Sequence, residues 1–205
     1  MSNTRPIGRR GVMFPLDGAA PNRVAVLNSE GEATWAEIGE LGGSLFGWED
    51  YNDTSTTSTP VSAPADVWTA LPNDGAGAFT NLAYAATSVT PLMDTATGKI
   101  DPTRVPLGSE LLIRNDFTVT PTTNEAVLDF RYTLGGGAGA YTLELPLGRL
   151  DRGAGVEYRF AIRVDKIYMG DANTRDNHIG LEVRCGSAAT VTNAGSVITV
   201  LGGIE

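Results

Sequence analysis

The sequence predicts an all-β protein: an antiparallel β-sandwich of jelly-roll form, preceded by an extended N-terminal arm and a short strand-helix segment. Three observations lead there. From about Trp48 onward apolar residues recur with a period of two, the mark of strands buried on one face only. The 205 residues include 25 Gly and 11 Pro, which leave little room for long helices. Around eight short alternating runs are separated by turn signals, the spacing of a sandwich rather than of a parallel sheet.

Residues 1–23 contain Pro6, Pro15 and Pro21 with Gly8, Gly11 and Gly18, and read as an extended arm. Residues 24–59 read as a transition. A short strand, Arg23–Leu27, is closed by the turn residues Asn28-Ser29-Glu30-Gly31. Thr34 with Glu37 three residues later has the form of a capping box, so a short helix is expected there. Trp35, Ile38 and Leu41 would share its apolar face, and Gly42-Gly43 would stop it. Such a segment cannot bury a core alone and is expected to pack as a trimer collar. The hydroxyl-rich stretch Thr54-Ser55-Thr56-Thr57-Ser58-Thr59-Pro60 reads as a solvated link to the body, residues 60–205.

The body opens with expected strands at Ala65–Ala70 and near Pro91–Asp94. In Leu111–Val119, the residues Leu111, Ile113, Phe117 and Val119 share a face with Asn115. Ala126, Leu128, Phe130, Tyr132 and Leu134 alternate with Val127, Asp129, Arg131 and Thr133. After the connection Gly135–Gly139 come Tyr141, Leu143 and Leu145, then Val156, Tyr158, Phe160, Ile162 and Val164 as one strand. Ile179, Leu181, Val183 and Cys185 follow, and Ser196–Leu201 supplies the last run.

Composition narrows the function. Hydrophobic residues are 41% and charged residues 19%, too apolar for a disordered chain. No run approaches the roughly 18 to 20 apolar residues of a membrane span, and the first ten residues lack the apolar core of a secretory signal. A single Cys and a single His rule out a disulfide framework and most nucleophile and zinc constellations. Cys185 alternates with core positions and reads as a buried thiol. His178 is within reach of Asp176 in sequence. Gly135-Gly136-Gly137-Ala138-Gly139 lacks the Gly-Lys-Ser/Thr ending of a phosphate loop. Asp171, Asn173, Asp176 and Asn177 lack the spacing of a dedicated calcium loop. Asp94, Asp101 and Glu110 are carboxylates in an acidic chain, not a glycosidase pair by themselves. The expectation is therefore no catalytic residue, no metal site and no cofactor.

Charge is unevenly spread. Residues 1–23 hold Arg5, Arg9, Arg10 and Arg23 against Asp17, a local +3 in a chain of −9 that leaves −12 elsewhere. An acidic body repels nucleic acid and anionic membranes, so neither is expected as a partner. The arm instead suits an acidic protein surface.

Three stretches resemble a known family: Leu71-Pro72-Asn73-Asp74-Gly75-Ala76-Gly77-Ala78-Phe79-Thr80-Asn81, then Leu92-Met93-Asp94-Thr95-Ala96-Thr97-Gly98-Lys99-Ile100-Asp101, then Leu107-Gly108-Ser109-Glu110-Leu111 with the Arg114–Thr120 strand. They look like the trimeric, jelly-roll-like C-terminal domains of tailed-bacteriophage virion proteins, namely capsid decoration (cement) proteins, head fibres and tail fibres. The resemblance spans roughly residues 60–201. It implies a non-enzymatic homotrimer on the outer surface of the phage head, made in the host cytoplasm, whose partner is the major capsid protein. In that reading Arg5, Arg9 and Arg10 pair with capsid carboxylates, while Val12, Met13, Phe14 and Leu16 supply apolar anchors. The alternative is a fibre tip that binds a host-surface glycan.

Overall fold

The computed structural model describes residues 4–7, 12–15, 23–27, 33–37, 45–86, 88–162 and 164–202. The chain divides between Ser44 and Leu45 into two compact units. In the first, β1 (Thr4–Ile7) pairs antiparallel with β2 (Val12–Pro15), and β3 (Arg23–Leu27) pairs with β4 (Ala33–Glu37). The strand expected at Arg23–Leu27 is present. The helix expected from Thr34 is not: Ala33–Glu37 is a strand, with Val24 opposite Ala36 and Ala25 opposite Trp35. A helix of about two turns is marginal in water, whereas a strand here satisfies backbone groups of β3.

The second unit contains β5 (Phe46–Asn52), α1 (Ser55–Ser58), β6 (Val61–Ala63), β7 (Thr69–Ala70), β8 (Met93–Asp94), β9 (Lys99–Ile100), β10 (Glu110–Pro121), β11 (Ala126–Leu134), β12 (Tyr141–Leu150), β13 (Tyr158–Ala161), β14 (Asp165–Tyr168), α2 (Ala172–Arg175), β15 (Gly180–Cys185) and β16 (Ala189–Leu201). Two antiparallel sheets make the sandwich. One runs β13-β10-β16-β5, with β14 continuing β13 along β10 and β6 continuing β5 along β16; the other runs β12-β11-β15-β7. The sandwich thus takes in Phe46–Asn52, ahead of residue 60.

The alternation read from the sequence places the core. Leu111, Ile113, Phe117 and Val119 of β10 are buried, as are Leu128, Phe130, Tyr132 and Leu134 of β11 and Cys185 of β15. Phe117 stacks on Phe130 at 5.9 Å and on Phe160 at 5.3 Å between ring centres. The polar member of the β10 face, Asn115, is fully buried. It donates to the Tyr132 hydroxyl at 2.9 Å and accepts from Ser196 at 2.7 Å, which ties β10 and β16 to β11 of the other sheet.

Two departures from simple alternation have a common cause. A one-residue irregularity flips every later side chain to the other face. In β16, Asp116 pairs with Gly195 but Phe117 pairs with Asn193, so burial passes from Val191 and Asn193 to Ser196, Ile198 and Val200. In the stretch expected as one strand, Val156–Asp165, the ladder breaks after Ala161 and resumes at Asp165. Val164, expected inside, is 55% exposed, and Ile167 and Met169 face the core instead.

One side of the sandwich is closed by the long connection between β7 and β10. Its Leu71, Leu92, Met93, Ile100 and Val105 are buried, and it bonds to both sheets: Leu71 N–H to Leu181 O at 2.8 Å, Ile100 N–H to Ile179 O at 3.0 Å, and Leu92 N–H to the Glu49 carboxylate at 2.8 Å.

Candidate functional site

The sequence-derived binding residues fall in the first unit. Arg5 lies in β1, and Val12, Met13 and Phe14 lie in β2, where the register sets Arg5 opposite Phe14 and Pro6 opposite Met13. Trp35 lies in β4. Arg9, Arg10, Leu16, Ile38 and Leu41 lie outside the described residues. The stretch read as an extended arm thus holds a hairpin between residues 4 and 15. Among the described strands, β1 and β2 pair only with each other, so the basic segment forms a self-contained sheet rather than an edge of the sandwich.

In the second unit the ionisable groups act as clamps for turns. Asp171 caps α2, accepting from the Thr174 N–H at 2.9 Å and its hydroxyl at 3.0 Å; these bonds hold its carboxyl below the ordinary range. Asn173 accepts from Gly136 N–H at 3.0 Å and donates to Gly139 O at 2.8 Å, fastening the β11–β12 connection to α2. Gly135 is required beneath it: its φ is +69°, and a Cβ there would lie 2.4 Å from the Asn173 amide nitrogen. The oxygen-rich turn considered for calcium is therefore engaged in capping. Asp176 pairs with Arg175 at 2.6 Å. His178 instead stands between Asp94, at 3.5 Å, and Asp101, at 3.6 Å. The Thr97 hydroxyl is the main cause holding Asp94 low, with the Ala96 and Thr97 N–H groups and His178 adding to it. Asp101 in turn accepts from Thr103. Among the described residues, no three of His, Cys, Asp and Glu converge as a metal-binding group.

The hydroxyl-rich stretch is exposed at every residue but Thr56, which anchors it. Asp53, itself buried, accepts from the Thr56 N–H at 2.8 Å, and Thr56 is buried against Asn193, whose N–H donates to the Thr56 hydroxyl at 2.7 Å. Residues 54–58 therefore form the turn α1, docked on β16 by side-chain bonds that hydropathy does not register.

Three surface features were not legible in the sequence. On the outer face of the second sheet, the cross-strand pairs Arg131–Glu182 and Asp129–Arg184 lie beneath Trp68, whose ring centre is 4.1 Å from the Arg131 guanidinium carbon and 4.7 Å from that of Arg184. This clamp secures the short strand β7. On the outer face of the first sheet, a cavity of about 220 Å³ is lined by Asp50, Asn52, Phe79, Arg114 and Asp116. Arg114 and Asp116 form a two-bond pair there. Burial raises the Asp50 pKa, and the neighbouring Asp116 raises it further. The third is the gap between β12 and the β13–β14 edge, where two adjoining cavities of about 340 and 390 Å³ share Leu145. Hydropathy distinguishes the two faces of a strand but not whether anything covers the inner one.

No family model matches the chain, and no curated protein sequence matches it. Among solved structures, the chain is similar to infectious bursal disease virus of the Gx strain, with a TM-score of 0.42 and 15% identity over 93% of this chain and 38% of that one. The Gt strain of the same virus gives 0.41 and 13% identity over 97% and 42%. An Eiger TNF from S. frugiperda gives 0.34 and 15% over 78% and 94%. The chain spans about two fifths of the two viral chains.

Proposed function

We propose that this protein is a non-enzymatic structural component of a phage virion: a homotrimeric decoration protein that staples major capsid subunits through its N-terminal segment. The carrying observation is the separation of charge, +3 in residues 1–23 against −12 elsewhere, in a segment whose two strands pair only with each other among the described strands. A body of that sign gains nothing from an acidic shell, whereas the basic hairpin does. Arg5, Arg9 and Arg10 form charge-assisted bonds to capsid carboxylates, and Val12, Met13, Phe14 and Leu16 supply apolar contact. Three such segments on one trimer bind with high effective concentration, so avidity replaces single-site affinity. The eight strands of the sandwich, counted in chain order with β6–β7 as one and β13–β14 as one, run 1-8-3-6 and 2-7-4-5; we read this order as a jelly roll, an architecture used in capsid domains. The resemblance of residues 60–201 to phage head and fibre domains supports the same reading.

The test is co-sedimentation with undecorated heads. Deletion of residues 1–23 removes the β1–β2 hairpin and cuts no sheet of the second unit. The truncated protein should stay folded and trimeric and remain in the supernatant, and pelleting at the wild-type level overturns the staple. A second reading, a fibre tip that binds host glycan, is favoured by the cavity at Asp50, Asn52 and Phe79, which sets an aromatic ring beside planar polar groups. A glycan-array screen on the full chain tests it.

A further inference from the structure

We propose that the incompletely covered inner face of β12 around Leu143 is the socket of a head-to-tail self-association, filled by the Phe79–Tyr84 segment of a second copy of this chain. The proposal rests on the homotrimer reading above and assigns its contact surfaces.

The socket is defined by a contrast between two paired strands. The register sets Tyr141, Leu143 and Leu145 of β12 opposite Leu134, Tyr132 and Phe130 of β11, so all six point to the same face. On β11 that face is the core and is buried; on β12, Leu143 is 41% exposed and Tyr141 is 42% exposed. The β13–β14 edge that faces β12 thus covers it only in part: Leu145 and Leu147 pack against the core, and Leu143 does not. The uncovered space is the pair of cavities sharing Leu145, one reaching Tyr132 and Lys166, the other floored by Phe160 and Ile162. On the opposite side of the sandwich the β7–β10 connection packs Leu71, Leu92, Met93, Ile100 and Val105 into the core.

That opposite side carries the complementary shape. Phe79 is 80% exposed, Tyr84 62% and Leu82 41%. The segment is not frayed: Asp50 and Asn81 exchange both backbone bonds at 3.0 and 2.8 Å, Trp48 N–H donates to Tyr84 O at 3.0 Å, and the Trp48 and Tyr84 rings stack at 5.0 Å. A rigid aromatic projection meets an apolar hollow with little ordering cost, and large aromatic anchors in pockets dominate interface energies.

Charge selects a second copy as the occupant. Residues 46–100, which carry the projection, contain Asp50, Asp66, Asp74 and Asp94 against Lys99, once the buried Glu49 and Asp53 are set aside; residues 141–168, which carry the socket, contain five Lys and Arg against four Asp and Glu. In an acidic protein the socket side is the locally basic one, and the two edges attract. The two patches differ and lie at opposite ends of the first sheet, so the contact is heterologous, and the trimer read above requires that it close as a ring.

The experiment measures mass in solution by light scattering at tens of micromolar. The wild-type chain should give three times 21.5 kDa. A projection variant, Phe79→Ser with Leu82→Ser, and a socket variant, Leu143→Lys, should each be monomeric with the wild-type far-ultraviolet circular dichroism spectrum, since all three positions are already exposed. Mixed together they should form a 1:1 dimer, because the intact projection of one fits the intact socket of the other. A mixture that stays monomeric overturns the head-to-tail contact. A wild-type trimer that both variants retain overturns the assigned surfaces and leaves the trimer standing; this is the outcome if residues 1–44 or another protein fill the socket. A monomeric wild-type chain overturns both the trimer and this contact.

Discussion

The Asp53 carboxylate accepts from both the main-chain N–H and the side-chain hydroxyl of Thr56, inside a stretch whose composition alone describes a flexible tether. The bond pair converts residues 54–58 into a turn whose Thr56 hydroxyl in turn receives the Asn193 N–H. Through Thr56, an otherwise exposed run of hydroxyl residues is pinned to the first sheet.

Thr56→Val should destabilise the protein by about 1–3 kcal/mol, because it leaves the Asn193 N–H and an Asp53 oxygen buried with one partner fewer. Thr56→Ser should recover most of the loss. Urea unfolding monitored by tryptophan fluorescence checks both, and a Thr56→Val midpoint equal to wild type would show that the turn is solvated.

Asn115 is the polar tie between the sheets. Asn115→Leu keeps the volume but strips the Tyr132 hydroxyl of its donor and Ser196 of its acceptor, at a cost of about 1–3 kcal/mol. Burial and the neighbouring Asp165 push the Tyr132 pKa well up, so the hydroxyl stays protonated and the loss should be constant from neutral to mildly alkaline pH. Unfolding midpoints across that range test the claim.

Gly195 sits at the β16 irregularity with φ of +146°, and a Cβ there would lie 2.4 Å from the Tyr51 carbonyl oxygen. Gly195→Ala should cost about 1–3 kcal/mol or more from backbone strain and should loosen β5 from β16. Hydrogen exchange would report faster protection loss in residues 46–52 than in 110–121.

Asp74 gives the sandwich an acid-sensitive latch. Burial acts to raise its pKa, but the Ala76 N–H and the Thr54 N–H and hydroxyl outweigh it and hold the carboxyl at about 2. A depressed folded-state pKa contributes stability that is complete above the unfolded value of about 3.9 and is lost as pH falls through about 2. Asp74→Asn should therefore lower stability at pH 7 and flatten its decline between pH 4 and 2. Denaturation series at pH 7, 4 and 2.5 compare the two proteins.

Most of the sandwich was legible because its strands alternate strictly. Leu111 to Val119, Ala126 to Leu134 and Ile179 to Cys185 each have the parity the core uses. Reading failed where local geometry, not hydropathy, decides. The capping-box pattern at Thr34 and Glu37 was overruled by the need of Arg23–Leu27 for a strand partner. The break after Ala161 reversed the parity of Val164. The β7–β10 connection buries Leu92, Ile100 and Val105 without any period, so its role as a wall was invisible. The functional residues divide in the same way. The charge separation is a property of the sequence, but the socket depends on how the β13–β14 edge meets β12, which no single strand can reveal.

The position of β16 fixes when this protein can exist as a folded object. It lies between β10 and β5 and also borders β6, yet it is made after every strand it joins. A nascent chain emerging from the ribosome holds β5 and β10 with an empty lane between them, and residues 189–201 must enter that lane before the first sheet is continuous. Folding of this sheet is consequently dominated by contacts distant in sequence and slow for its size. Until the lane is filled, two strand edges are open to other chains. Crowded expression should favour aggregates.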